Sequence, residues 1–193
     1  MKKYSLLLLL LPFFLYSQNS TQEISLESGW SIFSTYITPN NNSLESVLAS
    51  IIDDVVIVKD ENGNVYWPEY SLNSIGNLTI GKAYQIKMNN PHNLVINGQQ
   101  VSCDTEINLN TGWNLIGYLN PTTSQIEDQF TSIIENVIII KDDTGNVYWP
   151  FYGINSIQTM NPGKGYQIKV LSDIIFNYTC IEECIPYNYS CDG

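Results

Sequence analysis

The chain repeats itself in tandem. Gly29-Trp30 recurs 83 residues later as Gly112-Trp113. The run Val58-Lys59-Asp60-Glu61-Asn62-Gly63-Asn64-Val65-Tyr66-Trp67-Pro68 recurs 82 residues later as Ile140-Lys141-Asp142-Asp143-Thr144-Gly145-Asn146-Val147-Tyr148-Trp149-Pro150. Asn73-Ser74-Ile75 returns as Asn155-Ser156-Ile157, and the stretch from Gly81 to Lys87 returns as Gly163 to Lys169. One residue is lost between the first two blocks and nothing else shifts until the repeat ends. A period of roughly 80 residues held over so many positions is a duplication, so one fold must serve both copies.

Each copy reads as a short series of strands around one short helix. A first strand (Ile24 to Leu26; Ile107 to Leu109) turns into the Gly-Trp strand. The helix follows a Pro/Asn loop, with Asn42 and Ser124 read as N-caps and Glu45 and Glu127 three residues on, the capping-box spacing. Leu44, Leu48, Ile51 and Ile52, and their counterparts Ile126, Phe130, Ile133 and Ile134, fall on one helical face. The unbroken apolar runs Val55 to Val58 and Val137 to Ile140 read as strands buried on both sides. Polar turns (Asp60 to Asn64; Asp142 to Asn146) lead to return strands that Pro68 and Pro150 end, because proline has no N–H for the ladder. In the last shared strand, Tyr84, Ile86 and Met88 alternate with Gln85, Lys87 and Asn89, which puts the apolar set inward. Trp30, Trp113, Tyr84 and Tyr166 are read as core residues of small units.

The expected fold is therefore mainly β (α+β): two tandem small β-rich domains, each with one short helix. Residues 1–18 form a signal peptide, 19–98 the first module, 99–106 a linker, 107–178 the second module, and 179–193 a cysteine-containing tail. Repeat chemistry stops near Phe176, so the tail is expected to be dispensable for the repeat fold. The leader reading rests on Lys2 and Lys3 ahead of the apolar run from Leu6 to Leu15, broken by Pro12 and too short for a comfortable bilayer span. It places the chain in an oxidising compartment. Cys103, Cys180, Cys184 and Cys191 are then expected as disulfides, with three pairings open.

Removing the leader leaves six lysines against 19 acids, a net charge of −13, and no arginine anywhere. Such a chain repels polyanions and lacks the guanidinium fork that clamps phosphate and guanine. Nucleic acid is excluded as a partner, as is membrane insertion after leader removal. No cofactor is indicated.

The motifs Gly-Trp-Asn-Leu-Ile at 112–116, Gly-Asn-Val-Tyr-Trp-Pro at 145–150 and Gly-Lys-Gly-Tyr-Gln-Ile-Lys at 163–169 resemble a repeat of bacterial surface proteins exported by type IX secretion. Copy one departs at Ser31-Ile32-Phe33 and at Ala83. The resemblance covers roughly residues 24–176 and implies an exported, non-catalytic accessory module, with no defined ligand and no catalytic residues. The tail resembles the opening of small cysteine-rich modules of such proteins.

Two functions fit this reading. One is a secreted or cell-surface binding or adhesion module that recognises glycan or another surface protein. The alternative is a structural spacer of a larger secreted protein. The ligand-binding candidates are Tyr66, Trp67, Tyr148 and Trp149, because adjacent strand residues point to opposite faces and one aromatic of each pair can be exposed. Asp60 and Asp142 are weak Ca²⁺ candidates, since Ser71 and Gly153 stand where a calcium loop needs its last carboxylate; side-chain bonding within the turn is the plainer reading. His92 has no counterpart in copy two, and the carboxylate pair Asp53-Asp54 becomes Glu135-Asn136 there, so neither supports catalysis.

Overall fold

The computed structural model describes residues 19–181. The leader expected at 1–18, together with Cys184 and Cys191, lies outside the described residues. Copy one contains strands β1 (Ser20–Leu26), β2 (Gly29–Phe33) and β3 (Ile37–Pro39), then helix α1 (Leu44–Leu48), which tightens into a 3₁₀ turn over Ala49–Asp54. It continues with β4 (Val55–Lys59), β5 (Val65–Trp67), β6 (Leu72–Asn73), β7 (Tyr84–Met88) and β8 (His92–Gln100). Copy two contains β9 (Ile107–Leu109), β10 (Gly112–Gly117), β11 (Ser124–Gln125) and α2 (Ile126–Phe130), again running into a 3₁₀ turn. Then come β12 (Val137–Lys141), β13 (Val147–Trp149), β14 (Ile154–Asn155), β15 (Thr159–Met160), β16 (Gly165–Val170) and β17 (Ile174–Phe176). The chain is mainly β with two short helices, as expected.

Each copy builds the same antiparallel five-stranded sheet, in the orders β2-β7-β4-β5-β6 and β10-β16-β12-β13-β14. The unbroken apolar runs are central strands, and each carries a bulge. Val55 and Ile57 flank it opposite Met88 and Lys87, as Val137 and Ile139 do opposite Val170 and Lys169. The extra residue explains the absence of alternation: the register shifts within the strand, so Val55 and Val58, and likewise Val137 and Ile140, face the core three residues apart, while Ile57 and Ile139 lie on the outer face opposite lysines. A smaller sheet lies beside each large one, β1-β8-β3 in copy one and β17-β9 in copy two.

Two apolar cores result. One contains Phe33, Leu48, Tyr84, Ile86 and Leu94; the other contains Ile116, Phe130, Tyr166, Ile168 and Phe176 at the equivalent places. Truncating Leu48 or Phe130, each wholly buried, would cost about 2–5 kcal/mol. The buried Tyr84 and Tyr166 hydroxyls accept from the Thr79 and Asn161 backbone N–H groups at 2.8 and 3.0 Å, which fixes the preceding loops.

A third cluster of Ile32, Ala83 and Leu115 joins the copies. Its surroundings obey a pseudo-two-fold axis. Ser34 N–H donates to Gly163 O and Gly117 N–H to Gly81 O, both at 2.9 Å. Ile32 N–H donates to the Asp143 carboxylate at 3.0 Å and Leu115 N–H to Glu61 at 3.1 Å. Lys82 pairs with Glu61 at 2.5 Å and Lys164 with Asp143 at 3.7 Å. Each of these contacts has its repeat equivalent in the other half, which is the mark of an isologous interface; the Ser34 hydroxyl, which donates to Lys164 O and accepts from Tyr118 N–H, is the exception, because its equivalent is Gly117. The edge amides of β2 and β10 are thus satisfied by carboxylates of the opposite copy, blunting edges that would otherwise be free to pair.

The axis also explains where the copies differ. A Cβ on Gly165 would lie 2.4 Å from the Ala83 Cβ, and one on Gly117 would lie 2.8 Å from the Ser34 Cβ. Residues 83 and 165 are repeat equivalents, as are 34 and 117. Each pair meets itself across the seam, where there is room for only one side chain.

Three sequence expectations are corrected. The helix N-caps are Ser43 and Gln125 rather than Asn42 and Ser124; Ser43 Oγ accepts from Ser46 N–H at 3.2 Å. Glu45 and Glu127 reach instead to the Asn73 and Asn155 side-chain amides, tying each helix to the end of β6 or β14. Strand β8 runs to Gln100, through the boundary drawn at 98, and Val101 packs on the second core. The described start of the tail, residues 179–181, is part of the fold, continuous with the end of copy two. Tyr178 is buried against Tyr118, Phe130 and Phe176, and Cys180 is bonded to Cys103. The disulfide occupies the place that the cross-strand pair Ser20↔Gly98 holds in copy one, and its Cα–Cα distance of 5.4 Å is that of such a pair.

Candidate functional site

Trp30 and Trp113 lie outside the cores, contrary to the sequence reading. They are 48% and 49% exposed, while their neighbours Ser31 and Asn114 are buried. The polar side faces inward because the turn needs it. Asn114 accepts from Asn110 N–H at 2.9 Å and donates to Asn110 O at 2.7 Å. With that position pointing in, strand alternation sends each tryptophan to the outer face of its sheet. There Trp30 lies opposite Lys87, with the Lys59 ammonium 4.9 Å from its ring centre. Trp113 lies opposite Lys169 and under Lys141 at 5.0 Å.

Two grooves form where these outer faces meet at the seam. The first, about 330 Å³, is lined by Trp30, Ser31, Ile32 and Lys59 of copy one with Asp142 and Asp143 of copy two. The second, about 320 Å³, reverses the contributions, with Trp113, Asn114 and Leu115 from copy two and Asp60 and Glu61 from copy one. Gln85 and Gln167 line both. Neither copy alone makes a groove.

The candidates read from sequence fall elsewhere. Tyr66 and Tyr148 are buried, and they belong to the two cores. Burial, and after it the nearby Glu45 and Glu127 carboxylates, push their phenols above the ordinary value. Trp67 and Trp149 are half-buried, each edge-on to the tyrosine of the following 3₁₀ turn, Tyr70 or Tyr152, with ring centres 4.7 Å apart. Strand alternation thus sends the tyrosine of each pair to the core and the tryptophan to the other face, where it is half-buried rather than exposed.

The two tryptophans have different surroundings. In copy two, Trp149 borders a concavity of about 550 Å³ with Ile134, Ile138, Phe151, Tyr152 and Leu171. Phe151 is 84% exposed, and Tyr152, Ile154 and Leu171 are also exposed. Copy one has Glu69 where copy two has Phe151, and Asn89 where it has Leu171. Two polar positions become apolar in one copy only, and that asymmetry was readable in the sequence. The exposure of Trp30 and Trp113 was hidden, because an apolar residue before a polar one suggests the opposite orientation.

Asp60 and Asp142 bind their own turns. Asp60 accepts from the N–H groups of Asn62 and Asn64 and from the Asn64 amide, and Asp142 repeats this with Thr144 and Asn146. Their oxygens are committed to the hairpin. Among the described residues no group of three or more His, Cys, Asp or Glu is placed to hold a metal ion.

The fold brings His92 to Asp54, with Nε2···Oδ2 at 2.5 Å, and Asn90 donates to the other carboxylate oxygen at 2.6 Å. These contacts, the Asn90 hydrogen bond foremost, hold the Asp54 carboxyl below its ordinary value. Among the described residues no serine hydroxyl hydrogen-bonds to His92. In copy two Asn136 holds the Ser172 backbone at the same place. The pair is a loop clamp built from different residues in each copy. No helix among the described residues is long and apolar enough to cross a membrane.

No protein-family model matches the sequence, no curated protein matches it, and no solved structure matches the fold.

Proposed function

We propose that this is an exported, non-catalytic binding or adhesion module of a cell surface, whose target is a glycan or another surface protein. The observation that carries the reading is the exposed apolar surface of copy two, Phe151, Tyr152 and Leu171, around a concavity that the half-buried Trp149 also borders. Scattered apolar residues need no explanation, but a contiguous patch around a concavity marks an interaction surface. A spacer has no use for Phe151 where its twin has Glu69. The leader-like N-terminus, the acidic arginine-free composition and the Cys103–Cys180 bond support export.

The test is to titrate fluorescently labelled protein against a glycan array and against intact bacterial cells, beside Trp149→Ala and Phe151→Ser variants. Retention by the wild type, and its loss in a variant that melts normally, supports the reading. A wild type retained by neither surface would leave the spacer as the function.

A further inference from the structure

We propose that the two seam grooves form one trough that binds a linear, uncharged polysaccharide chain. The proposal rests on the binding-module reading above but assigns it a different site, one that exists only because two copies face each other.

The geometry first argues for a trough. Each groove has a half-exposed indole at its outer end, and Gln85 and Gln167 line both grooves. The grooves therefore meet at the glutamines, near the pseudo-two-fold axis. One tryptophan stands at each end and a pair of amides in the middle. A chain of repeating units fits that arrangement better than a single compact ligand.

The polar groups then select the charge of the ligand. The chain's own lysines already occupy the cation positions over both indoles, Lys59 on Trp30 and Lys141 on Trp113. The carboxylates are also engaged. Glu61 holds Lys82 and the Leu115 N–H, and Asp143 holds the Ile32 N–H. A cationic ligand would have to displace these internal partners, and an anionic one would meet a net charge of −13 on the chain without its leader. Hydroxyl groups face neither obstacle. They can donate to carboxylate lone pairs left over and both donate to and accept from the Gln85 and Gln167 amides, which make no hydrogen bond among the described residues. Each indole is about half exposed beside the lysine that stands over its ring, and that uncovered part is apolar surface against which the C–H side of a sugar ring can pack. Ring surface, free carboxamides and spare carboxylate lone pairs are what a neutral sugar requires.

The trough also has a similar lining when read from either end, with Ser31, Ile32 and Asp143 in one half where Asn114, Leu115 and Glu61 stand in the other, and Lys59 in the first half alone. A polysaccharide has a direction, and a pseudo-symmetric trough accepts it either way round. That suits attachment to a polymer surface, where chain polarity is not controlled.

The test is isothermal titration of the full chain with linear hexasaccharides and disaccharides of β-1,4-linked glucose, mannose, xylose and N-acetylglucosamine and of α-1,4-linked glucose. Polygalacturonate and a lysine-rich peptide serve as charged comparators. At least one hexasaccharide should bind, more tightly than its disaccharide, with an affinity unchanged between 50 and 500 mM salt. Trp30→Ala and Trp113→Ala should each weaken binding by about two- to tenfold. Gln85→Ala/Gln167→Ala should weaken it as well without moving the melting temperature, since those amides make no hydrogen bond among the described residues. Phe151→Ser should leave it unchanged. Failure of every neutral hexasaccharide to bind, or binding of the charged comparators alone, overturns the proposal. If a hexasaccharide binds but is lost in Phe151→Ser and kept in the Trp30, Trp113 and glutamine variants, the trough is wrong and the binding-module reading stands.

Discussion

Copy one closes its smaller sheet with backbone, whereas copy two closes it with side chains and sulfur. In copy one, β8 extends past β1 and pairs with β3, from Ile37↔Gln100 to Pro39↔Gly98. Gly98 makes this possible, since a Cβ there would lie 1.9 Å from Thr38 O. In copy two the equivalent residue is Cys180, which has a side chain, and the close pairing is absent. Asn120 there donates to Thr179 O and accepts from Ile181 N–H, while Gln129 accepts from Thr179 N–H. Both side chains are buried, and the two amides do for the tail what a β-ladder does in copy one. The constant of this fold is the five-stranded sheet with its bulged central strand; the closure beside it can be built by different chemistry.

The disulfide is where this comparison breaks most sharply. Cys103 and Cys180 are 77 residues apart, so their bond removes loop-closure entropy worth up to about 4 kcal/mol from the unfolded chain. Cys103→Ser/Cys180→Ser should destabilise the protein by about 2–4 kcal/mol in urea titration, and reducing agent should do the same to the wild type. Loss of less than about 1 kcal/mol would mean that Asn120 and Gln129 hold the tail unaided. Copy one has no cysteine, and its resistance to local opening by hydrogen exchange should not change.

A smaller effect is expected at the seam. Gly165→Ala places a methyl group 2.4 Å from the Ala83 Cβ and 2.6 Å from Ile32 Cγ2, and overpacking of this kind costs about 1–3 kcal/mol. The swap Ala83→Gly/Gly165→Ala moves the one allowed methyl group to the other copy and should recover most of that loss. A double-mutant cycle measures the coupling directly. Additive losses would show that the two positions do not share a space and that the seam is looser than the pseudo-two-fold contacts imply.

What could be read from sequence divides along the same line. Much that is local to one copy was legible from periodicity and turn chemistry: the hairpins with their Asp60 and Asp142 turns, the alternation of Tyr84, Ile86 and Met88, and the stops at Pro68 and Pro150; the helix caps, shifted by one residue, were not. What depended on two copies meeting was not. Ala83 and Gly165 looked like drift in a motif until the axis placed them against each other. Glu61 and Asp143 looked like turn residues, although each satisfies an edge amide some 54 or 111 residues away. Trp30 was assigned to the core because aromatic residues usually belong there. Only the inward bonding of the equivalent Asn114 reveals the opposite orientation. The tail looked separate because its residues do not resemble the strand they extend, and side-chain locks such as Asn120 leave no periodic trace.

The smallest expected effect is on the acid limb of stability, where each copy contributes one carboxylate. Asp54 is held below its ordinary value of 3.8 by the Asn90 amide and then by His92. Asp173 is held below it by the backbone N–H and hydroxyl of Thr111. A carboxyl whose pKa is lowered by folding stabilises the native state fully above the unfolded value. That contribution disappears as the pH falls through the lowered folded value. Both groups lie at the surface, so water and salt screen them and the effect should be modest. Melting temperatures taken from pH 6 to pH 2 should fall less steeply below about pH 4 for Asp54→Asn and for Asp173→Asn than for the wild type. Asp54→Asn also gives copy one the residue that copy two carries at Asn136, where an amide clamps the Ser172 backbone without a titrating group. If the Asp54→Asn curve stays parallel to wild type while Asp173→Asn flattens, the His92–Asp54 contact does not persist in solution. The copies would then differ in how firmly this loop is held, not only in the residues that hold it.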